Sequence, residues 1–129
     1  ESRCCEFPTL NPNNVGEAYR YLFIGVADKP SGNAPLQGIL KIDWQTGEHQ
    51  VFSVAPRGFT GEPLFVPFPN GVNEDDGWLL MLMYDGAKHR SDVVILDARD
   101  LNKKPVGILH LKHHIPYGLH GSFTPNFFG

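Results

Sequence analysis

Short runs of hydrophobic residues, separated by turn-forming residues, recur along the whole chain. Apolar and polar positions alternate over residues 38–44, the segment 45–48 (Gln-Thr-Gly-Glu) predicts a turn, and residues 49–54 predict the second arm of a hairpin. Residues 78–84 are continuously apolar, which is typical of a strand buried on both faces. The same criteria predict further strands over residues 19–26, 64–67, 92–97 and 106–111. No segment has a helical period over ten residues, so the sequence predicts an all-β fold.

Two parts of the chain resemble each other at a spacing of about 50 residues. Residues 39–43 match residues 93–97, and an aromatic and aliphatic segment precedes each of them. This spacing is typical of a four-stranded propeller blade, and about two blades would fit into 129 residues. Because a propeller needs at least four blades, we expect the chain to be part of a larger domain. A β-sandwich whose halves are similar by coincidence is the alternative.

Composition narrows the possible functions. The formal net charge is −3, and the eleven Lys and Arg residues form no basic block, so nucleic-acid binding is not expected. The 14 Gly and 11 Pro residues are spread as turn signals between strands. No apolar run approaches the ~20 residues of a membrane span. The only cysteines, Cys4 and Cys5, are adjacent, which favours reduced thiols and a cytoplasmic protein.

Four histidines lie within eleven residues near the end of the chain: His110, His113, His114 and His120. On a continuous strand, His110 and His114 would share one face. Their spacing matches neither the helical zinc pair nor a zinc finger. The spacing therefore predicts no self-contained metal site, and it does not by itself single out His120.

Two carboxylates have unusual neighbours. Glu62 stands between Gly61 and Pro63 and leads into an apolar segment, and Glu6 is followed by a phenylalanine and a proline. A carboxylate in such a setting is either exposed in a loop or needs a partner, because an unpaired buried charge is costly. The free ring N–H of a metal-bound histidine is a suitable partner. The acidic run at 74–76, in contrast, predicts a solvated turn.

Taken together, these segments resemble the C-terminal part of the carotenoid cleavage oxygenases, a family that includes apocarotenoid and lignostilbene oxygenases and the retinal pigment epithelium isomerase. The similarity covers nearly the whole chain, and the matching motifs occur in the family's order. These motifs are Glu6-Phe7-Pro8 with Asn11-Pro12, Tyr19-Arg20-Tyr21, Gly61-Glu62-Pro63-Leu64-Phe65-Val66-Pro67, Glu74-Asp75-Asp76-Gly77-Trp78, Ile95-Leu96-Asp97-Ala98-Arg99-Asp100-Leu101 and Ile115-Pro116-Tyr117-Gly118-Leu119-His120-Gly121.

The resemblance implies a fold, a cofactor and a reaction. Residues 1–129 would form about two C-terminal blades of a seven-bladed β-propeller. A non-haem ferrous iron, Fe(2+), would lie on the propeller axis, bound by four histidines, and His120 matches the last of them. Glu62 and Glu6 match glutamates that hydrogen-bond to the ligand rings. The implied reaction is oxidative cleavage by O2 of a carbon–carbon double bond in a carotenoid, apocarotenoid or stilbene, which gives two carbonyl products.

The resemblance also sets expectations for partners. An apolar polyene or stilbene and O2 would be the substrates, and the three phenylalanines at 123, 127 and 128 would contact the substrate or fill the core. Peripheral membrane contact would involve regions outside this chain. Since one histidine cannot hold catalytic iron, we expect the chain alone to bind no stoichiometric iron and to be inactive. The alternative function is a non-catalytic propeller segment that acts as a carotenoid-binding or interaction module.

Overall fold

The computed structural model describes residues 2–30, 32 and 34–127. Within these residues the chain forms two antiparallel sheets and a single 3-10 turn, Pro12–Asn14. The first sheet contains β1 (Cys5–Thr9), β2 (Tyr21–Val26), β3 (Gly38–Asp43) and β4 (His49–Ser53). The second contains β5 (Gly58–Thr60), β6 (Leu64–Pro67), β7 (Gly77–Asp85), β8 (Arg90–Asp97) and β9 (Gly107–His110). In the described part of the chain, no helix has the length and hydropathy that crossing a membrane requires.

The two sheets have the same topology. The first follows the order β1-β2-β3-β4, and the second follows β5-β7-β8-β9. Strand β6 also pairs with β7, so β5 and β6 together act as one interrupted first strand. Residues 39–43 lie in β3 and residues 93–97 lie in β8, which are the third strands of their sheets. The all-β fold and the internal repeat predicted from the sequence are therefore confirmed.

Two short strands escaped the sequence prediction. Strand β5 has three residues, and β1 contains a proline and a phenylalanine at a positive φ of 60°. Strand β5 is too short to show a period, and in β1 a bulge interrupts the two-residue period. The predicted hairpin turn between β3 and β4 is present, and its Gly47 has a φ of 75°, where a side chain would be strained.

The hydrophobic core lies between the two sheets. Phe23 of the first sheet and Phe65 of the second have ring centroids 5.5 Å apart. Leu79 of β7 is fully buried in this core, whereas Leu82 on the other face of β7 is 38% exposed. The prediction that residues 78–84 are buried on both faces is thus wrong for this chain, because only one face of β7 packs against the first sheet.

The acidic run at 74–76 joins the two sheets. The Glu74 carboxylate accepts hydrogen bonds from the backbone N–H groups of Arg20 and Tyr21 at 2.8–2.9 Å. The Lys41 ammonium lies 2.7 Å from Asp75, and the Lys41 side chain is only 6% exposed. The predicted solvated turn is wrong, because the first sheet supplies donors to these carboxylates. We call the pair of Lys41 and Asp75 the inter-sheet ion pair.

Candidate metal centre

The segment after β9 crosses the face of the second sheet without forming a strand. The backbone N–H of Ile115 donates to the Ser91 hydroxyl at 2.9 Å. Between this segment and the outward face of β7 lies a mainly apolar hollow of about 260 Å³, with His120 at one end. We call residues 115–121 the tail segment. Because the tail segment lies on the sheet, His120 comes close to residues of the sheet's first strand.

A β-bulge directs Glu62 towards the tail segment. Thr60 lies opposite Met83, and Leu64 lies opposite Leu80, so three residues of the first strand face two residues of β7. A bulge of this kind breaks the alternation of a strand and turns a side chain in a new direction. Pro63 follows Glu62 and has no N–H to leave unpaired in the bulge.

Glu62 makes two hydrogen bonds to the tail segment. One carboxylate oxygen lies 3.2 Å from Nδ1 of His120, and the other accepts the backbone N–H of Gly121 at 2.8 Å. A carboxylate without a proton only accepts, so Nδ1 of His120 is the donor in this pair and Nε2 is the ring nitrogen left for another partner. This is the form in which a histidine binds a metal ion. Within this chain the His120 side chain is 74% exposed.

A second bulge lies in the first strand of the other sheet. Glu6 pairs with Gly25 and Thr9 pairs with Phe23, so two residues, Phe7 and its neighbouring proline, face one residue of β2. The Phe7 ring meets the His120 ring edge to face, with centroids 5.6 Å apart and an interplanar angle of 88°. Residues of both sheets therefore converge on His120.

Glu6 reaches the same region but not the same ring. It lines an open hollow together with Phe7, Glu62 and His120. Glu6 is exposed, and its carboxylate forms no hydrogen bond to His120 among the residues that the structure describes. The structure thus brings both predicted glutamates to His120, but only Glu62 contacts it.

The other histidines of the cluster take separate positions. His110 ends β9, and its Nδ1 lies 2.9 Å from the buried Asp92 carboxylate. His114 packs edge to face on Tyr84 at 5.1 Å, and His113 is exposed. The idea of one strand face shared by these residues is wrong, because the strand ends at His110. Across the described residues, no three His, Cys, Asp or Glu side chains form a group that could hold a metal ion.

Burial contributes to the pKa of two groups near the hollow, Tyr117 and Asp92. Burial raises the pKa of Tyr117, with a smaller contribution from the neighbouring Tyr84, so the Tyr117 hydroxyl stays protonated at neutral pH. For Asp92, burial alone would raise the pKa, but hydrogen bonds from Arg90 and His110 together outweigh burial and lower it. Asp92 is therefore ionised and paired with Arg90 and His110.

Two contributors to the site were not predicted from the sequence: the Phe7 ring and the Gly121 N–H. The available signal for Phe7 was its place beside a proline in a segment that parallels the one around Glu62. Phe123 and Phe127 are exposed, at 51% and 93%, so neither fills the core of this chain. Phe128, the third phenylalanine expected to contact substrate or core, lies outside the described residues.

Comparisons with known proteins identify relatives in sequence and in structure. The family model described as retinal pigment epithelial membrane protein matches residues 1–125. Apocarotenoid-15,15'-oxygenase of Synechocystis is 57% identical over 123 residues, which cover 95% of this chain and 25% of that protein. A chloroplastic 9-cis-epoxycarotenoid dioxygenase of Arabidopsis thaliana is 36% identical over 116 residues, which cover 89% of this chain and 19% of the relative.

The solved structures give the fold. The structure of cobalt-substituted Synechocystis apocarotenoid oxygenase is similar with a TM-score of 0.91 and 57% identity, over 95% of this chain and 26% of that one. The chain thus spans about a quarter of the length of these relatives. The related structures are seven-bladed propellers, so the two sheets are propeller blades and the sandwich alternative is wrong. This chain belongs to the retinal pigment epithelial membrane protein family, the family of the carotenoid oxygenases.

Proposed function

We propose that His120 is one of four histidine ligands of a non-haem ferrous iron, and that the full-length protein cleaves a carbon–carbon double bond of a carotenoid, apocarotenoid or stilbene with O2. The observation that carries this proposal is the pairing of Glu62 with both the His120 ring and the Gly121 N–H. The names of the relatives, an apocarotenoid oxygenase and a carotenoid dioxygenase, support the reaction class.

His120 and Glu62 have the arrangement of a metal ligand and its hydrogen-bonding partner. Glu62 accepts a hydrogen bond from Nδ1 of His120, which leaves Nε2 for a metal ion and makes the ring more basic. The negative charge of Glu62 also compensates part of the charge of a divalent cation. When bound by an all-imidazole set, ferrous iron supplies open coordination positions and the redox chemistry that O2 requires. A cobalt-substituted structure exists for a relative that is 57% identical, which supports a divalent site.

Glu6 has a different role in this proposal. Its carboxylate faces the hollow beside His120 without bonding to that ring. We assign its carboxylate as the hydrogen-bond acceptor for the ring N–H of another histidine ligand, which would come from outside this chain. The two glutamates would then orient two separate ligands of one iron.

The surface near His120 suits an apolar substrate. Tyr117, Leu119 and Phe123 are 70%, 73% and 51% exposed in this chain, and they lie on or just beyond the tail segment. Clustered apolar surface of this kind marks a binding or packing face. An extended polyene or stilbene would contact it in the full-length protein. We also propose that the protein is cytoplasmic. Any peripheral membrane contact would be made by regions outside this chain.

The test replaces His120 in the full-length protein. We expect His120→Ala to lose most of its iron and at least about a hundredfold of its cleavage rate, because affinity comes from the complete ligand set. His113→Ala, which changes an exposed histidine nearby, is the matched control and should keep both. Iron would be quantified by elemental analysis, and aldehyde products by chromatography with mass spectrometry.

Two further outcomes define the result. The 129-residue chain alone should bind no stoichiometric iron, since it carries one ligand of the four. Full iron content and activity in His120→Ala would refute the proposal. Polyene binding by the unmodified protein without iron or cleavage would instead support the non-catalytic binding module.

A further inference from the structure

We propose that Phe7 is a positioning residue for the His120 ring, and that its own side chain is aimed there by the bulge in β1. This inference rests on the proposed role of His120 as an iron ligand. It adds a contact from the first sheet to the hydrogen bond that Glu62 supplies from the second sheet.

The backbone at Phe7 is unusual. Its φ of 60° lies in the left-handed region, where residues other than glycine are uncommon and bulky ones are outliers. In a regular strand, consecutive side chains point to opposite faces, yet Glu6, Phe7 and Pro8 all line the hollow beside His120. The bulge and the left-handed residue together turn the Phe7 ring towards the tail segment.

The geometry of the rings explains what this contact can do. A single hydrogen bond from Nδ1 to Glu62 fixes one point of the His120 ring but leaves rotation about the line between donor and acceptor. The Phe7 ring meets the imidazole at 88° with centroids 5.6 Å apart, a favourable edge-to-face arrangement. This contact restricts that rotation and so fixes the direction of the Nε2 lone pair.

Little else in the chain holds the ring. The His120 side chain is 74% exposed, and among the described residues its ring pairs with the Glu62 carboxylate and the Phe7 ring. Because these two partners come from different sheets, the direction of Nε2 depends on how the blades pack together. The sequence separation of Phe7 from both other residues explains why no local motif reveals this contact.

The experiment uses Co²⁺ as the probe in the full-length protein. We expect Phe7→Leu and Phe7→Gly to weaken Co²⁺ binding about three- to tenfold. The loss of a residue that hydrogen-bonds to a metal ligand typically weakens metal binding by this factor or more. Both should also change the visible absorption bands of bound Co²⁺, which report ligand geometry. Phe7→Gly is the informative variant, because glycine adopts a φ of 60° without strain and therefore keeps the bulge.

Two controls separate positioning from folding. Phe7→Tyr keeps the ring and should restore the affinity and the spectrum. Phe68→Leu removes an aromatic ring outside the site, where Phe68 packs against Trp78 with ring centroids 4.4 Å apart. This variant should leave the Co²⁺ spectrum unchanged. Thermal unfolding of each variant shows whether it is folded.

The outcomes distinguish this inference from the proposed function. If the unmodified protein binds Co²⁺ tightly, His120→Ala abolishes binding and Phe7→Gly retains both affinity and spectrum, the role of Phe7 is refuted and the iron site stands. If His120→Ala binds Co²⁺ as tightly as the unmodified protein, the iron site is refuted, and the role of Phe7 with it.

Discussion

The first strands of the two sheets use the same backbone device for different chemistry. Each contains a bulge beside a glutamate and a proline, and each bulge faces His120. In the second sheet, Glu62 supplies two hydrogen bonds to the tail segment. In the first sheet, Glu6 makes no bond to that ring, and Phe7 supplies an aromatic contact instead. The repeated bulge therefore directs side chains of both sheets towards His120. The residue type at each bulge determines which group contacts the His120 ring.

This comparison also shows what the site depends on. Glu62 lies in the second sheet and the tail segment lies on the face of that sheet, so their contact does not involve the first sheet. Phe7 lies in the other sheet, so its contact with His120 requires the two sheets to pack. The inter-sheet ion pair and the Glu74 hydrogen bonds support this packing.

Acid should produce the largest effect, because it weakens ion pairs in both sheets at once. The hydrogen bond from Arg20 lowers the pKa of Asp43 in the first sheet, and that from Arg99 lowers the pKa of Asp97 in the second. Since these pKa values are depressed in the folded state, the stabilisation is complete above the ordinary carboxyl pKa of about 4. It is lost as the pH falls through the folded-state values.

Urea unfolding of the full-length protein between pH 7 and pH 2 measures this dependence. Asp97→Asn should be less stable at pH 7 and should lose less stability on acidification than the unmodified protein. Parallel curves for the two proteins would contradict the linkage.

Breaking the inter-sheet ion pair should have the next largest effect. Asp75→Ala removes the carboxylate partner of the buried Lys41 ammonium, whose bond to the Arg99 carbonyl does not compensate the charge, and we expect a loss of about 3–5 kcal/mol in the free energy of unfolding. The control is Asp100→Ala, whose pair with Lys103 has an N···O distance of 3.9 Å, and it should cost less than about 1 kcal/mol. Equal losses, measured by urea unfolding, would show that the two sheets do not depend on this pair.

The smallest effect concerns the two glutamates themselves. Glu62→Gln in the full-length protein should weaken Co²⁺ binding about 10–100-fold, or about 1.4–2.7 kcal/mol, because it removes the charged acceptor of the His120 ring. If Glu6 orients a different ligand, the effect of Glu6→Gln should add to that of Glu62→Gln within about 0.5 kcal/mol. Titration of the two single variants and the double variant measures this coupling. A much larger coupling would mean that both carboxylates act on one ring.

Much of the fold could be predicted from local patterns. The hairpin of β3 and β4 follows from alternation and turn residues, and strand β7 follows from a continuous apolar run, because such patterns report on neighbours close in sequence. The short strands β1 and β5 could not be predicted, since a bulge interrupts the period of β1 and three residues are too few to show a period in β5. For the site, the resemblance singled out His120, Glu62 and Glu6. The histidine spacing alone did not, because Glu62, the residue that bonds to the His120 ring, lies 58 residues away in the sequence.

The sequence by itself determined the all-β class, the two-blade repeat and the motifs that relate this chain to its family. Only the tertiary structure decided which partners the polar residues take. The acidic run at 74–76 became a contact between sheets because Arg20, Tyr21 and Lys41 are brought to it by folding. Glu62 bonds to His120 while Glu6 does not. The reason is that the bulge at Glu62 lies next to the hydrogen-bonding groups of the tail segment. Alternation along a strand is a local property, whereas the direction of a bulged side chain has meaning only relative to the residues packed beside it.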